Sequence, residues 1–499
     1  WLGELPQALD EALPELTEDS FAGVLANVIA GRIANRLDLG GVNYTVDAAC
    51  ASSLAALDSS MKSLLSHESD VVICGGADLH NSINDYLMFS SVHALSKTGR
   101  CRPFDERADG ISLGEGVAAV ILKRVEDAQR DGDRIYAVVS SVAGSSDGRA
   151  LGLTAPRPEG QKRALERAYQ RAGVSPADVG LVEAHGTGTV VGDRTELKTL
   201  TTVYQADEAS LAQSTLGSVK SMIGHTKCAA GLAGLIKASM SIFHGIRPPT
   251  LHLDKPNPAY DPAASPFCFE RQSRPWSVPI DKRIAGVSAF GFGGTNFHTV
   301  LRGEPSTPSA MRALQEWPSE ALVIRADSID SARAISQRYA IAVEEREARG
   351  HLSSLRLRDL AFSLFSQDLK ATVQAVLVVS NTKEALAALR AFAHGEEHSC
   401  ILSEPSSPPS STVDLTSTNG ELSSVPRTSP QVAFMFPGQG AQKLSMMREL
   451  FTVFPELNDR LSQNTTYADV IFPPHPADLS QKRAQQQALT DTRVAQPAL

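Results

Sequence analysis

Apolar and polar residues follow two different periods along the first three hundred residues of the chain. Helical spacing or runs of small residues predict four helices, at residues 21–34, 50–65, 159–172 and 229–240. Short apolar runs predict five strands, at residues 42–46, 71–77, 116–122, 135–143 and 179–184. The runs at 71–77 and 179–184 are typical of buried strands. Apolar strands that alternate with helices predict an α/β architecture in which helices cover the sheets.

A second, smaller region comes next. It is predicted to contain two strands and two amphipathic helices, at residues 321–325 and 371–379 and at residues 328–347 and 383–392. Residues 404–430 are rich in Ser, Pro and Thr, which predicts a flexible linker. A buried-strand pattern at residues 432–436 then predicts the start of a further domain, which is cut off at Leu499.

Length and composition narrow the class of protein. A chain of 499 residues with 42% hydrophobic and 21% charged residues predicts a soluble protein of several domains. No apolar run reaches the ~18 residues that a membrane-spanning helix requires. The net charge of −9 argues against a general nucleic-acid binder.

The start of the chain and its cysteines indicate the cellular compartment of the protein. The sequence begins at Trp1 with neither an initiator Met nor a secretory signal, so we expect it to start inside a longer protein. Its six cysteines are scattered, without CxxC or zinc-ligand spacing. A reducing, cytoplasmic compartment fits this pattern best.

Cys50 lies where the apolar run at 42–46 gives way to a helix of small residues. The unpaired amides of a first helical turn carry partial positive charge, which favours a thiolate over a thiol. The alternative is a packed core cysteine, since free cysteines are among the most buried residues.

Two histidines occur further along in glycine-bearing loops. His185 belongs to Glu-Ala-His-Gly-Thr-Gly-Thr, directly after a predicted strand, and His225 to Lys-Ser-Met-Ile-Gly-His-Thr, which starts at Lys220. Structural histidines, a metal site and a surface role for Lys220 are the alternatives, although no HExxH or His-rich spacing supports a metal.

A glycine-rich loop, Phe290-Gly-Phe-Gly-Gly-Thr-Asn-Phe-His298, is the third element. It lacks the GKS/T ending of a P-loop and the setting of a dinucleotide-binding turn. Its backbone amides could instead face a thioester oxygen. Phe292 by itself is equally compatible with a packing role.

Together these motifs occur in the order found in the β-ketoacyl synthase family. They resemble modular and iterative polyketide synthases and related multidomain fatty acid synthases over residues 1–302. The resemblance implies a thiolase-like layered α-β-α-β-α ketosynthase fold. Only 49 residues precede Cys50, where the family has a much longer segment, so we expect the N-terminal part and some of the dimer interface to be missing.

The rest of the chain resembles the segments that come after a ketosynthase in such synthases. Residues 303–403 resemble the small α/β linker domain before an acyltransferase, and 404–430 would be the flexible linker. Residues 431–499 resemble the truncated α/β start of a malonyl-type acyltransferase. The GHSxG serine motif is absent, so we expect no transfer of malonyl units by this chain.

By resemblance, each motif has a role. Cys50 would be the acyl-accepting nucleophile, and Lys220 would order the polar network around it. His185 and His225 would support decarboxylation of the malonyl extender and stabilise its enolate oxygen. Two imidazoles in such a setting supply the hydrogen-bond donors that this step needs.

The resemblance also implies two oxyanion holes. The backbone amides of Cys50 and Phe292 would form the first, and the Phe292 side chain would be a gate between the acyl pocket and the extender site. Gln439 would contribute to the second, in the acyltransferase fragment, although a turn residue is the alternative there.

The implied reaction is decarboxylative Claisen condensation of an acyl chain on Cys50 with a malonyl extender. It requires no metal or organic cofactor. Acyl groups would arrive on the phosphopantetheine of an acyl carrier protein, and the ketosynthase would form a homodimer. No nucleic-acid or membrane partner is expected.

Departures from the common pattern favour one branch of the family. Ala51 comes after the nucleophile where many modular synthases have Ser, and residues 226–230 read Thr-Lys-Cys-Ala-Ala. With Thr-Asn-Phe-His at 295–298, these features are closer to polyunsaturated fatty acid synthases and other iterative synthases. Two alternatives stay open: a thiolase-like acyltransferase without chain extension, and a non-catalytic scaffold like a chain-length factor, although no nucleophile or histidine is missing.

Overall fold

A computed structural model describes residues 17–149, 152, 155–308, 312–314, 317–349, 355–403, 443–463, 465–476 and 478–490. The chain forms two compact units. The first comprises Trp1–Ala313 with Phe436–Leu499, and the second comprises Leu314–Met435. The sequence pattern instead predicts residues 431–499 as a separate domain, whereas here most of that stretch groups with the first unit.

The first unit up to residue 313 contains nine described α-helices. They are α1 Glu18–Gly23, α2 Val28–Leu37, α3 Ser52–Leu65, α4 Ile83–Ser91, α5 Val125–Asp131, α6 Pro158–Ala172, α7 Val190–Ala206, α8 Lys220–Ile223 and α9 Ala230–His244. Several begin or end as their sequences require. Pro158 occupies the first turn of α6, and Gly173 ends that helix in the left-handed conformation.

The strands of this unit form a mixed six-stranded sheet and two small sheets. They are β1 Val71–Asp78, β2 Gly116–Lys123, β3 Val138–Ser146, β4 Leu181–Glu183, β5 Ser214–Gly217, β6 Ile246–Arg247, β7 Phe267–Cys268, β8 Arg274–Pro275, β9 Ile284–Gly291 and β10 Thr295–Arg302. The large sheet has the order β3-β10-β9-β4-β5-β7. Its strands β9, β4, β5 and β7 are parallel, and β10 pairs antiparallel with both β9 and β3.

Four layers succeed one another in the described residues. Helices α6 and α7 cover one face of the large sheet, and α3 and α9 cover the other. The antiparallel pair β1–β2 then packs on the far side of α3 and α9. Two apolar cores fill the spaces on either side of the large sheet. This is the α-β-α-β part of the predicted layered fold.

Three details differ from the sequence predictions. The helix predicted at 21–34 is two helices, because the chain turns after Gly23, a poor helix former. The strand predicted at 42–46 is absent, since no described strand pairs with it, and Val42 is exposed. The strand at 71–77 exists as β1, but the outward side chains of β1 and β2 are exposed, so it is not buried.

The second unit has its own core. Its antiparallel sheet has the order β11-β12-β13, with β11 at Glu320–Arg325, β12 at Val373–Val379 and β13 at Ile401–Ser403. Three helices pack on it, namely α10 Ile329–Ala348, α11 Leu357–Phe365 and α12 Thr382–His394. The sequence pattern predicts two of these strands and two of these helices. It does not predict the short strand β13 or helix α11.

The last described stretch is helical. It contains α13 Arg448–Val453, α14 Pro455–Leu461, α15 Thr465–Ile471 and α16 Leu479–Leu489. Asn458 anchors it to the body of the first unit by accepting from Ser277 Oγ at 2.7 Å and donating to the Gly245 carbonyl at 3.1 Å. Asp459 pairs with two buried arginines, Arg283 and Arg312. In the described parts of the chain, no helix is long and apolar enough to cross a membrane.

Helix α9 packs closely against α3, as its content of Gly and Ala predicts. A Cβ atom at Gly231 would lie 2.7 Å from Leu54 Cγ and 2.8 Å from Ser53 Oγ. The Ser53 hydroxyl already accepts from the Leu232 N–H at 3.0 Å. Only glycine fits at position 231, because a side chain there would collide with α3. The close approach of α9 holds the start of α3 in place.

We expect Gly231→Val to lower the free energy of unfolding by about 2–3 kcal/mol, because the added methyl groups displace Leu54 and Ser53. Gly23→Val is the matched control, since nothing lies within 4 Å of a Cβ at that helical glycine. Urea unfolding followed by circular dichroism measures both. Equal losses in the two variants would contradict the packing argument.

Candidate active site

Cys50 lies in a tight turn at the start of α3. Ala48 and Ala49 precede it, and their N–H groups donate to Ser52 Oγ at 2.8 Å and to Asp47 Oδ1 at 2.9 Å. The Ser52 hydroxyl in turn donates to the Ala49 carbonyl at 2.7 Å. Ala49 has a φ of +49°, a conformation that a side chain disfavours. Short polar side chains therefore hold a strained backbone that presents the thiol.

The thiol is buried, with 7% of Cys50 exposed. Burial raises its pKa to about 11, while the charge of Lys220 and the backbone N–H groups of Phe292 and Cys50 act in the opposite direction. Loss of hydration thus outweighs the local positive potential. The backbone amides thus favour the thiolate, as expected from the turn, but burial outweighs them and keeps Cys50 a thiol at neutral pH.

His185 comes directly after β4, and its backbone is held from both sides. Its N–H donates to Glu196 Oε1 at 2.7 Å, and the Gly186 N–H donates to the other carboxyl oxygen at 2.8 Å. On the opposite side, Lys220 Nζ donates to the His185 carbonyl. Lys220 itself is buried at the start of α8. The Lys220 side chain therefore lies beneath the His185 loop.

His225 approaches from a different loop. Its N–H donates to the Ser112 carbonyl at 2.8 Å, and its carbonyl accepts from the Gly114 N–H at 3.0 Å. The Lys227 N–H donates to His225 Nδ1 at 3.0 Å. Nδ1 is therefore the acceptor, and the ring proton of a neutral His225 resides on Nε2.

The two imidazole rings face each other edge to face, with centroids 5.6 Å apart. Burial and the nearby Lys220 charge lower the pKa of both rings well below 6.5. Both histidines are therefore neutral at physiological pH. A neutral imidazole offers one N–H donor and one nitrogen that can take a proton.

The glycine-rich loop is the hairpin between β9 and β10. Gly291 brings it against the Cys50 turn, where a Cβ atom would lie 2.3 Å from the Ala48 carbonyl oxygen. Gly293 and Gly294 have φ values of +90° and +82°, which favour glycine. The loop places the Phe292 N–H where it forms a hydrogen bond with the Cys50 sulfur. The Phe292 side chain is 44% exposed and lies 6.4 Å, centroid to centroid, from Phe89.

The side chains described above lie around one cavity of about 150 Å³. Cys50, His185, His225 and Phe292 all line it. Lys220 does not line the cavity, and its amino group contacts the His185 carbonyl instead. Gln439 lies outside the described residues. In the described ranges, no group of three or more His, Cys, Asp or Glu is placed to hold a metal ion.

Sequence reasoning missed two buried acids next to the His185 loop. Asp193 and Glu196 lie three residues apart at the start of α7, so they share one face of that helix. Asp193 accepts from the Phe104 and Gly188 N–H groups at 2.7 and 3.0 Å. Burial raises the pKa of each carboxyl to about 7. Their spacing directly after a glycine-bearing His loop is the signal that could have identified them.

The chain matches two family models that adjoin each other. One is the β-ketoacyl synthase N-terminal domain, over residues 6–128, and the other is the β-ketoacyl synthase C-terminal domain, over residues 136–254. Both matches fall within the stretch whose motifs carry the same resemblance. They include Cys50, His185, Lys220 and His225.

Curated relatives are large synthases. The chain is 38% identical over 461 residues to a polyunsaturated fatty acid synthase of Thraustochytrium sp., covering 90% of this chain and 16% of the relative. It is 37% identical over 443 residues to erythronolide synthase EryA3 of Saccharopolyspora erythraea, covering 88% and 13%. The chain thus spans about a sixth or less of the length of these relatives.

Solved structures of ketosynthases are also similar to this chain in sequence and in fold. The ketosynthase from module 6 of the bacillaene synthase of Bacillus subtilis 168 is 30% identical, with a TM-score of 0.55, over 78% of this chain and 67% of that one. The oxazolomycin ketosynthase domain OzmH KS7 of Streptomyces albus JA3453 is 31% identical, with a TM-score of 0.55, over 77% and 67%. Sequence and fold therefore agree over the part that carries the cavity.

We expect the alkylation rate of Cys50 by iodoacetamide to rise about tenfold per pH unit from pH 7 to 10, because its pKa of about 11 keeps the thiolate scarce throughout that range. Mass spectrometry of the Cys50 peptide measures the rate, with free cysteine alkylated in the same tube as the reference. A rate that levels off below pH 9 would show that the turn stabilises the thiolate after all.

A second expectation concerns Glu196. Its folded-state pKa of about 7 lies above the ordinary 4.5, so the folded protein favours the protonated carboxyl. The resulting stabilisation is complete below pH 4.5 and is lost as the pH rises through 7. Glu196→Gln cannot ionise, so its free energy of unfolding should fall less steeply over this window, by up to ~1.4 kcal/mol per pH unit.

Urea unfolding at half-unit pH steps measures that slope. Glu166→Gln is the control, because it makes the same change at an exposed position on α6. Identical slopes in wild type and Glu196→Gln would contradict the assignment.

Proposed function

The chain belongs to the β-ketoacyl synthase family, and from that premise we propose that it joins an acyl chain on Cys50 to a malonyl extender by decarboxylative Claisen condensation. The observation that carries the proposal is the shared cavity. One thiol and two neutral imidazoles line it, on loops from three separate parts of the chain. This is the set of groups that the reaction needs.

In the first half-reaction, the Cys50 sulfur attacks the carbonyl carbon of an incoming acyl thioester. The thiol proton passes to the free ring nitrogen of neutral His185, since both nitrogens of His225 are engaged or protonated and a thiol of pKa about 11 needs a proton acceptor to react at neutral pH. The N–H groups of Cys50 and Phe292 stabilise the negative oxygen of the tetrahedral intermediate. The carrier thiol then leaves with that proton, and the acyl group stays on Cys50.

In the second half-reaction, the extender loses its carboxylate as CO2. The electron pair of the broken C–C bond moves into an enolate of the extender thioester. His225 Nε2–H is available to donate to the enolate oxygen, because Nδ1 of that ring is engaged by Lys227. An N–H of His185 supplies a second donor from the facing ring. The enolate carbon attacks the acyl carbonyl on Cys50, a new C–C bond forms, and the sulfur leaves as a thiolate that takes up a proton to restore the Cys50 thiol.

Lys220 and Glu196 are positioning residues in this scheme. Between them they fix the carbonyl and the N–H of His185, so its ring cannot turn away from the cavity without breaking buried hydrogen bonds. No step uses a metal or an organic cofactor. We further propose an acyl carrier protein as the source of both thioesters, a homodimer as the working assembly and a cytoplasmic location.

The similar proteins indicate which classes of product the reaction could serve. The Thraustochytrium polyunsaturated fatty acid synthase and erythronolide synthase share the ketosynthase stretch with this chain. Fatty acid and polyketide assembly both use the condensation proposed here. The residues at 226–230 and 295–298 favour the iterative, polyunsaturated branch.

We expect the protein, given an acyl thioester and malonyl-acyl carrier protein, to acylate Cys50 and to release CO2. Cys50→Ala should lose the acyl adduct that intact mass spectrometry detects. His225→Ala should keep the adduct but release CO2 roughly 100-fold more slowly, because one enolate donor is gone. His394→Ala is the control, since it removes an exposed histidine of the second unit.

Two results would overturn the proposal in different ways. Persistent acylation of Cys50→Ala at the wild-type rate would show that another residue is the nucleophile. Acylation of wild type without any release of CO2 would instead support an acyltransferase that does not extend chains.

A further inference from the structure

Lys227, two residues after His225, has a backbone conformation that lysine disfavours. Its φ is +45°, in the left-handed region that suits glycine. Such a conformation is strained for a residue with a side chain, and it persists only where the surrounding structure holds it in place. Lys227 is also buried. A strained, buried lysine beside the His225 ring therefore requires a physical reason.

The Lys227 side chain ends among polar groups. Its Nζ lies 2.8 Å from Asp78 Oδ1 and 3.5 Å from Asp85 Oδ2, and it donates to Asn81 Oδ1 at 2.6 Å. Burial by itself would raise the pKa of Asp78, but hydrogen bonds from Lys227 and His80 outweigh it and lower that pKa below 3.8. Asp78 is therefore ionised at neutral pH, and in this buried setting it attracts the Lys227 amino group strongly.

The two carboxyl groups belong to other elements than Lys227 does. Asp78 ends β1, and Asp85 lies in the first turn of α4. Lys227 begins the short turn that leads into α9. Its side chain thus ties the start of that turn to two other elements, and a buried ion pair is broken only at a large cost. These contacts supply the constraint that the strained backbone needs.

The peptide at the strained position carries the hydrogen bond that determines the tautomer of His225. The Lys227 N–H donates to His225 Nδ1 at 3.0 Å, which leaves the ring proton on Nε2. The backbone of His225 is fixed by Ser112 and Gly114, and α9 is fixed by its packing on α3. A change of φ at residue 227 therefore has to be absorbed between these two fixed parts, where this N–H lies.

We propose that Lys227 is a positioning residue whose side chain, through Asp78 and Asp85, holds the strained backbone that keeps the ring proton of His225 on Nε2. The inference rests on the proposed function, in which that N–H donates to the enolate oxygen. A His225 ring with its proton on Nδ1 would present a nitrogen lone pair to the enolate, and the donor would be lost.

The two half-reactions should therefore respond differently to changes at Lys227. Acylation of Cys50 uses the amides of Cys50 and Phe292 and the free nitrogen of His185, none of which Lys227 contacts. Decarboxylation uses the N–H of His225. A loss confined to CO2 release is the signature of the positioning role, whereas general damage to the fold would slow both steps.

Two substitutions at residue 227 distinguish a backbone role from a merely structural one. Lys227→Met removes the amino group and keeps the unfavourable φ. With hexanoyl-N-acetylcysteamine and malonyl-acyl carrier protein, we expect its CO2 release to fall about tenfold, while the Cys50 adduct forms within twofold of the wild-type rate. Lys227→Gly also removes the amino group, but glycine adopts a φ of +45° without strain. We expect its CO2 release to stay within about threefold of wild type.

The comparison of these variants with each other removes the effect of the lost ion pair, because both leave Asp78 and Asp85 without the amino group. Lys62→Met is the matched control. It removes a lysine amino group from the carboxylate of Asp58, 2.6 Å away, at an exposed position. It should match wild type in both half-reactions.

The tautomer of His225 can also be measured without any reaction. Nitrogen-15 NMR of the histidine-labelled protein shows which ring nitrogen carries the proton, and a His225→Gln sample identifies the His225 signals. We expect the proton on Nε2 in wild type and in Lys227→Gly, and a mixture of both tautomers in Lys227→Met.

The outcomes separate the two proposals. Wild type that releases no CO2, with tautomers as expected in all three proteins, contradicts the proposed function and leaves the role of Lys227 standing. Equal losses of CO2 release in Lys227→Met and Lys227→Gly overturn that role and leave the proposed function standing. A His225 ring in Lys227→Met with its proton only on Nε2, as in wild type, also overturns it.

Discussion

The candidate site depends on the way the backbone of His185 is held. Its N–H is bound by a buried carboxyl group, that of Glu196, and its carbonyl is bound by the buried amino group of Lys220. These partners come from α7 and α8, which lie after the His185 loop in the chain and beneath it in the fold. The loop is therefore fixed by two buried polar groups that cannot easily find other partners in the interior. Without that constraint, the two imidazole rings would not face each other across the cavity.

Burial also decides the protonation states. It raises the pKa of Cys50 to about 11 and lowers the pKa of both His185 and His225, so the resting site holds a thiol and two neutral rings. A neutral site is compatible with binding an acyl chain, because the uncharged groups cost less to desolvate. In the proposed reaction, reactivity arises when a thioester carbonyl reaches the amides of Cys50 and Phe292, which stabilise charge only as it develops.

The same small residues serve the nucleophile and the cavity. Gly291 lets the β9–β10 hairpin approach the Cys50 turn, and Gly231 lets α9 approach the helix behind it. Gly160 does so for the part of the cavity lining in which Asp147 and Asn296 pair. Each glycine is explained by a close approach between elements that are distant in sequence. Close packing of the backbone at these glycines therefore positions both Cys50 and the Asp147–Asn296 pair around the same cavity.

The order and nature of the reactive groups can be predicted from the amino-acid sequence without coordinates. The Cys50 turn, the two histidine loops and the glycine-rich hairpin each depend on local patterns of glycine, small residues and apolar runs, as do most helices and strands of both units. The protonation state of Cys50 cannot be predicted in this way, because its pKa depends on burial by residues far away in the chain. The same holds for the 42–46 segment, which has no strand partner among the described residues, and for Glu196 and Gln161, which border the cavity. Strand pairing and desolvation arise between distant segments, and no local pattern of residues encodes them.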